Sequence, residues 1–300
     1  PAIYVRGKTI CTDSSWLVTY EDKEWIDETG KASDQSGTIW AKAGSWNFDR
    51  DDEMPSAFEL PKKRMSPVST VRNNRSLLVD FGKETFGVVV LHGVKGQGNV
   101  SLYYGESKEE ALSTTHCETL DRIQISSTTA KIPLELTKAF RYINIETAEG
   151  ISIDSVSMLY EWANIKERGN FKCSDTTINN IYDVAKYTFE LNTREFFIDG
   201  IKRDRWIWSG DAYQSYLMNY YLYFDQPTVT RTLFALRGKD PVTSHINTIM
   251  DYTFYWFLGI YDYYLFTGDK QFVQQCYPRM QSLMDYVLQR RNKNGLLEGL

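Results

Sequence analysis

The spacing of the apolar residues changes near Glu161, and this change constrains the fold of the 300-residue chain more than any other feature. Before Glu161, apolar residues alternate with polar ones in short runs separated by Gly, Asn, Asp and Ser, which is typical of antiparallel strands. After Glu161 they recur three or four positions apart, which is typical of amphipathic helices. A chain of this length that separates strands from helices is predicted to form more than one domain.

The strand-forming part predicts an antiparallel β-sandwich over residues 61–165, because short alternating runs with turn residues between them are typical of that architecture. The clearest runs are Leu77–Phe81, Val88–Leu91, Val100–Tyr104, Lys131–Leu136 and Arg141–Ile145. Residues 1–60 hold four tryptophans but show no clear period, and we interpret them as the end of an N-terminal β-module. Two prolines in residues 54–61 predict a link between the two parts.

Residues 166–300 predict helices only. The expected helices cover approximately residues 174–195, 212–224, 227–238, 249–266 and 272–291. Val229, Leu233 and Leu236 are expected to face inward, the aromatic fourth helix to be enclosed on most sides, and Pro278 to kink the fifth. Short loops favour antiparallel neighbours, so this part is predicted to be a series of helical hairpins.

Composition argues against several classes of function. The net charge is −5 and the basic residues are scattered, so nucleic acid is not an expected partner. No apolar run approaches the roughly 18 residues of a membrane span, and no signal peptide is visible. The four cysteines and three histidines lack metal-ligand spacing, so we expect neither a metal nor a cofactor.

The segment from Asp199 to Asp211 alternates charges with indole rings. It holds three carboxylates, three cations and two tryptophans. Unpaired charges are costly to bury, whereas tryptophan ordinarily seeks cover. Acids that can exchange protons, beside flat rings that can stack on a sugar, suit the floor of a carbohydrate site. The alternative interpretation is a turn held together by Arg–Asp pairs.

This segment resembles the catalytic loop of the bacterial α-L-rhamnosidases of glycoside hydrolase family 78, in a variant that reads Lys-Arg-Asp-Arg. The resemblance covers about residues 65–291. The segments that carry it outside the loop are 80–90, 100–106, 140–145, 169–182, 251–256 and 261–269. It implies a multidomain protein in which a β-sandwich precedes an (α/α)6 toroid, the six-hairpin glycosidase fold. This chain would hold the first hairpins of the toroid and would be truncated.

The resemblance also implies inverting hydrolysis of terminal α-L-rhamnosides and assigns roles within the loop. Asp204 matches the general acid, and Asp199 and Asp211 match carboxylates that bind sugar hydroxyls. Arg203 matches the arginine beside the acid, and Trp208 matches the stacking tryptophan. The loop is one residue shorter than usual, so Asp204 stands where the family has Glu.

Further expectations concern neighbouring positions. Asp251 and Trp256 are candidates for sugar contacts, with a helix-terminus charge and the barrel interior as their respective alternatives, and Trp206 is expected in the core. The general base is expected beyond Leu300, because Glu298 comes too early.

The expected partner is a carbohydrate, and the oligomeric state is left open. A periplasmic or secreted location is expected, with a cytoplasmic one as the alternative. Three other functions stay open: a six-hairpin glycosidase acting on another sugar such as a uronic acid, a non-catalytic carbohydrate-binding protein, and a helical-repeat scaffold. The charged loop argues against the scaffold.

Overall fold

The computed structural model describes residues 15–19, 40–42 and 58–297. The chain divides into two compact units, Pro1–Phe58 and Glu59–Leu300. In the first unit, strands β1 (Leu17–Val18) and β2 (Ala41–Lys42) pair in antiparallel fashion. Most of the predicted N-terminal β-module and of the link at residues 54–61 lies outside the described residues, as does Glu298.

The second unit begins with an antiparallel sheet of eight strands. These strands are β3 (Lys62–Met65), β4 (Ser69–Asn73), β5 (Ser76–Val94), β6 (Gly98–Gly105), β7 (Thr119–Ile125), β8 (Thr129–Pro133), β9 (Lys138–Thr147) and β10 (Ser155–Glu161). A short helix, α1 (Lys108–Leu112), follows β6. The strand order is β3-β10-β5-β9-β6-β7, and β4 and β8 also pair with β5.

Strand β5 joins the two layers of this sheet. It is 19 residues long and contains both Leu77–Phe81 and Val88–Leu91, which were predicted as separate strands. Its first five residues pair with β4 and β9, and beyond a register shift between Asp80 and Thr85 it pairs mainly with β10 and β8. Both layers enclose one apolar core, and the predicted β-sandwich is confirmed. Core residues include Val79, Val89, Leu102, Phe140, Ile143 and Met158.

Five longer helices follow the sandwich, as predicted. They are α2 (Thr176–Asn192), α3 (Ser209–Leu222), α4 (Gln226–Leu236), α5 (Met250–Thr267) and α6 (Lys270–Leu288). Helix α2 begins at the N-cap Asp175, whose side chain accepts hydrogen bonds from the amides of Thr177 and Ile178. Helix α6 continues through Pro278. None of the described helices has the length and apolarity that crossing a bilayer requires.

The helices share a second apolar core, in which α5 packs against α3, α4 and α6. Val229, Leu233 and Leu236 of α4 are buried in it, as predicted. The expectation that α5 is enclosed on most sides needs correction, because Tyr261 and Leu265 are exposed. An aromatic composition does not distinguish a surrounded helix from one that is covered on part of its surface.

The connections α2–α3 (residues 193–208) and α4–α5 (residues 237–249) lie at the same end of the helical layer. Hydrogen bonds join these two: the Asn247 side chain accepts from the Ser209 amide at 2.9 Å and donates to the Ile207 carbonyl at 3.0 Å. The segment with the rhamnosidase-like sequence therefore faces a second loop.

Candidate active site

Two hydrogen bonds close the loop between Asp199 and Trp206. The Asp199 amide donates to the Trp206 carbonyl at 3.1 Å, and the Trp206 amide donates to Asp199 Oδ1 at 2.8 Å. The orientation of the Asp199 carboxylate is therefore set by the loop itself. The Trp206 side chain is 58% exposed, so the expectation that it belongs to the core is wrong. Only its backbone is held, and its indole ring faces solvent.

Lys202 attaches the loop to the β-sandwich. Its Nζ lies 2.8 Å from Glu110 Oε1 on α1, and also lies 3.6 Å from Glu106 and 3.9 Å from Glu118. One cation of the loop thus faces three carboxylates of the strand-rich part of the chain. The same lysine was predicted only as one of the charges of the loop.

Arg205 forms the second attachment. Its Nε donates to the Ile201 carbonyl at 2.8 Å and its Nη1 donates to the Thr137 carbonyl at 3.1 Å. Its guanidinium also lies over the Phe86 ring, 5.0 Å from the centroid. Burial lowers the Arg205 pKa from its ordinary value. The loop is therefore held by contacts of its cations with the sandwich and its own backbone rather than by the Arg–Asp pairs considered above.

An apolar cluster lies where the loop meets the sandwich. It contains Phe86, Ala139, Leu191, Ile198 and Ile201. These side chains come from β5, β9, α2 and the loop, so the two domain types share a buried contact. Burying apolar side chains stabilises this contact by removing their surface from water.

Arg203 and Asp204 form the exposed tip of the loop. The chain turns over residues 201–204 and then passes through Arg205 with a φ of 51°, a conformation that costs a non-glycine residue free energy. Within residues 58–297, no Lys, Arg or His nitrogen lies within 4.0 Å of the Asp204 carboxylate. Asp204 is therefore free to meet a ligand that approaches this end of the helical layer.

Trp208 and Asp211 lie beside the first turn of α5. Tyr252 contacts the Trp208 ring edge-to-face, with centroids 6.1 Å apart. Partial burial, and then the negative charge of Asp199, raise the Asp211 pKa above its ordinary value. Burial and the Asp211 charge likewise raise the Tyr252 pKa. These effects place Asp199, Asp211 and Tyr252 in one electrostatic neighbourhood next to an aromatic pair.

Further aromatic and acidic groups continue from this neighbourhood along α3 and α5. Tyr213 stacks on Tyr255 with centroids 5.3 Å apart, and its hydroxyl donates to Asp262 at 3.1 Å. Tyr255 also contacts Tyr252 edge-to-face at 6.2 Å. An acid-and-aromatic surface of this kind can bind a sugar through its hydroxyl groups and its apolar face.

Several of these residues were not predicted as site residues. Asn247 and Tyr213 carry no motif, whereas Tyr252 and Asp262 lie in segments that carry the family resemblance but were given no role of their own. The Asn247 φ of 52° is a tertiary feature, although Asn adopts this region more readily than most residues. The signal that could have indicated Tyr252 is an aromatic residue in the first turn of a helix that begins at the same end of the layer as the charged loop.

Of the two residues predicted as further sugar contacts, Asp251 stays a candidate and Trp256 does not. Asp251 is exposed in the first turn of α5, next to Tyr252, and stays a candidate. Trp256 is 0% exposed and its indole Nε1 donates to the Leu233 carbonyl at 2.8 Å. The prediction that Trp256 contacts the sugar is therefore corrected. Trp256 is a core residue, because its ring is buried and its only hydrogen-bond donor is already used inside the helical layer.

Glu84 is a buried acid at the contact between the sandwich and the loop. Both of its carboxyl oxygens are buried, and no described residue forms a hydrogen bond with them. Burial, followed by the charges of Glu106 and Glu110, raises its pKa to about 8, although Lys202 opposes the shift. Among the described residues, no group of three or more His, Cys, Asp or Glu is arranged to hold a metal ion.

Two family models match the chain. Residues 1–145 match the N-terminal domain of α-rhamnosidase-like proteins of bacteroidetes. Residues 166–299 match the six-hairpin glycosidase domain of bacterial α-L-rhamnosidases. The two matches cover the strand-rich and the helical parts in the order in which they occur.

Individual proteins are similar over part of their length. An α-L-rhamnosidase of Formosa agariphila is 25% identical in an alignment 185 positions long that covers 53% of this chain and 19% of that protein. A rhamnosidase from Klebsiella oxytoca with rhamnose bound superposes with a TM-score of 0.68 and 19% identity, over 80% of this chain and 59% of the other. A family 78 rhamnosidase of Bacillus sp. GL1 superposes with a TM-score of 0.63 and 21% identity, over 77% of this chain and 26% of the other. The chain thus spans less than two thirds of each relative.

Proposed function

Because the chain belongs to the bacterial α-L-rhamnosidase family, as the matches over residues 1–145 and 166–299 show, we propose that it contributes half of an active site that hydrolyses terminal α-L-rhamnosides. The observation that carries the proposal is the loop at residues 199–211. It presents an exposed Asp204 at its tip, next to the Asp199–Asp211 neighbourhood and the Trp208–Tyr252 ring pair.

Asp204 is proposed as the general acid. It donates a proton to the glycosidic oxygen while the bond from that oxygen to the anomeric carbon breaks, and the leaving group departs as an alcohol. Water attacks the opposite face of the sugar and loses a proton to a general base. This sequence inverts the anomeric configuration and needs the two carboxyl groups about 6.5–9.5 Å apart. We place the base outside these 300 residues.

The other proposed roles follow from position. Asp199 and Asp211 accept hydrogen bonds from sugar hydroxyls, and Trp208 faces the sugar ring. Arg203, exposed beside Asp204, contacts the substrate near the acid, and Asp251 binds at the first turn of α5. Each of these groups lies at the end of the helical layer where the two loops meet.

The proposed partner of the protein is a carbohydrate, and a periplasmic or secreted location fits a substrate found outside the cell. The division into residues 1–60, 61–165 and 166–300 stays a prediction.

The test uses a full-length protein that includes the general base, and it compares the wild type with Asp204→Asn on two rhamnosides, one with an activated aryl leaving group and one with a sugar leaving group. Loss of a general acid costs about 10²–10⁴ in rate, and a poor leaving group needs the proton most. We expect kcat to fall at least a hundredfold on the sugar and less on the activated aryl compound. Asp183→Asn, at an exposed position on α2, is the control.

Wild-type turnover of the sugar rhamnoside by Asp204→Asn would reject this acid. Rhamnose binding by a wild-type protein that cleaves neither compound would instead support the non-catalytic carbohydrate-binding alternative. Cleavage of an aryl uronide but not of the rhamnosides would support the uronic-acid alternative.

A further inference from the structure

A cavity of about 430 Å³ lies between the two loops at the active end of the helical layer. Trp206 and Ile207 line it from the α2–α3 connection, and residues 235–247 with Arg279 form its remaining walls. Ligand pockets commonly have volumes of about 300–1,000 Å³, so the cavity is large enough for a small ligand such as a sugar residue.

The cavity is lined by the loop of the proposed acid but is distinct from the proposed rhamnose-binding surface. Asp199, Asp211, Trp208 and Tyr252 are not among the residues that line it. Trp206 does line it, only two positions after Asp204. The group that departs from a glycosidic oxygen protonated by Asp204 must lie next to Asp204, and this cavity is lined by the loop that carries Asp204.

Positive charge predominates along the cavity wall. Arg237, Lys239 and Arg279 line it together with a single carboxylate, that of Asp240. Arg279 Nη1 lies 2.6 Å from Asp240 Oδ1, so these two charges neutralise each other. Over the described stretch 58–297, no carboxylate oxygen lies within 4.0 Å of the Arg237 or Lys239 nitrogens. Neither cation is neutralised by an acid there. Arg237 already donates to the Phe234 carbonyl at 3.4 Å and lies over the Phe234 ring, 4.6 Å from its centroid, so Lys239 is the charge most available to an anionic ligand.

Hydrogen bonds hold the wall in place. Arg279 Nε donates to the Arg237 carbonyl at 2.5 Å, and Thr253 Oγ1 accepts from the Ile246 amide at 3.0 Å. These bonds are made within the protein and hold the wall in one arrangement, which lowers the entropic cost of binding a ligand.

We propose that this cavity binds the leaving-group sugar and that it selects a sugar that carries an anionic group. Trp206 offers its exposed indole to the apolar face of the sugar ring, and Lys239 and Arg237 attract the anionic substituent. This inference rests on the proposed hydrolysis of rhamnosides and adds a substrate class to it. A carboxylate or a sulfate ester would satisfy the same cations.

The first experiment measures binding of the leaving-group sugar alone to the intact protein, by ligand-detected NMR titration. The probes are methyl glucuronide, methyl glucoside 6-sulfate and methyl glucoside. We expect the anionic probes to bind at least threefold more tightly than the neutral one, and the difference to shrink as salt is added. The two anionic probes distinguish a carboxylate from a sulfate ester. Equal or weaker binding of both anionic probes would overturn the proposal.

The second experiment uses variants. Lys239→Gln should reduce the preference for the anionic probes by about twofold to fivefold, as expected for one partly exposed charge. Trp206→Ala should weaken all three probes. Lys270→Gln, an exposed position at the start of α6 next to the α5–α6 turn, should change neither quantity. An equal effect of Lys239→Gln and Lys270→Gln would show that overall charge, and not this cavity, sets the preference.

These titrations do not require turnover, so they separate the two proposals. Selective binding by a full-length protein, general base included, that fails to cleave rhamnosides would contradict the proposed function and support the anionic site. Rhamnoside cleavage without selective binding would support the proposed function and contradict the anionic site.

Discussion

Lys202 Nζ lies 2.8 Å from Glu110 Oε1, so the proposed catalytic loop is joined to the β-sandwich by an ion pair. The two side chains are 21% and 20% exposed, which reduces the screening of their attraction by water. The pair connects α1 with the residue two positions before Asp204. A contact made by the sandwich therefore helps to hold the tip of the loop.

The Lys202–Glu110 pair should be measurable in a double-mutant cycle. We expect Lys202→Met and Glu110→Gln each to lower the free energy of unfolding by about 1 kcal/mol, and the double variant to lose less than the sum. Both should also lower kcat on a rhamnoside. Urea unfolding and steady-state kinetics provide the measurements. Lys95→Met is the control, since Lys95 and Asp154 are 3.7 Å apart and 61% and 60% exposed.

Glu84 should make stability fall as pH rises. Its pKa is raised from 4.5 to about 8, mainly by burial. Below pH 4.5 it is protonated in both the folded and the unfolded chain. Between pH 4.5 and about 8 only the folded chain keeps this proton, so folding becomes less favourable, and above about 8 the loss is complete.

Glu84→Gln should remove this dependence. We expect the variant to match the wild type near pH 5 and to exceed its free energy of unfolding by about 2 kcal/mol near pH 9, after discounting for partial access of solvent. Urea unfolding at a series of pH values is the measurement, with Glu109→Gln at an exposed position as the control. A constant difference between Glu84→Gln and wild type across this range would contradict the assignment.

Substitution by glycine should lower the free energy of unfolding at Asn247 and raise it at Thr248. Both have positive φ, 52° and 62°. Asn247→Gly keeps this conformation but loses the hydrogen bonds to Ser209 and Ile207, so we expect a loss of about 2 kcal/mol in unfolding free energy and a lower kcat. Thr248→Gly relieves strain at a β-branched residue, so we expect a gain of about 1 kcal/mol. Thermal unfolding of both variants checks the signs, and destabilisation by Thr248→Gly would contradict the strain argument.

The Asp199 charge should be visible in the titration of Asp211. Because Asp199 contributes to the raised Asp211 pKa, Asp199→Asn should lower that pKa. Carboxyl ¹³C NMR follows the titration directly and requires no substrate. Asp251→Asn should leave it unchanged, since Asp251 is not among the groups that shift Asp211. An unchanged Asp211 titration in Asp199→Asn would show that the two carboxylates do not interact.

Local periodicity predicted the sandwich and the five long helices, but it divided β5 into two strands. Gly82 and Gly87 lie between Leu77–Phe81 and Val88–Leu91, the two runs predicted as strands. Gly87 lies within the strand because β10 passes close to it, and an added Cβ would lie 2.3 Å from the Leu159 carbonyl oxygen. A glycine required by a distant strand cannot be distinguished in sequence from a glycine required by a turn.

The loop could be predicted as a unit, whereas the surroundings of its individual side chains could not. Lys202 and Arg205 meet groups about 70 to 90 positions earlier in the chain, namely Glu110 and Thr137. The assignment of Trp256 to the sugar and of Trp206 to the core was the reverse of their observed exposure. Where half of the residues of a helix are aromatic, as in α5, period alone does not indicate which ring faces the core.

The apolar contact of Phe86 and Ala139 with Leu191, Ile198 and Ile201 sets a limit on how this protein can be recombined. A boundary drawn at the change from strands to helices would cut through that contact and expose it on both pieces. It would also leave Lys202 and Arg205 without their partners. A chimera that exchanges the helical part must therefore supply equivalents of Phe86, Glu110 and the Thr137 carbonyl, so the smallest transferable unit includes the sandwich.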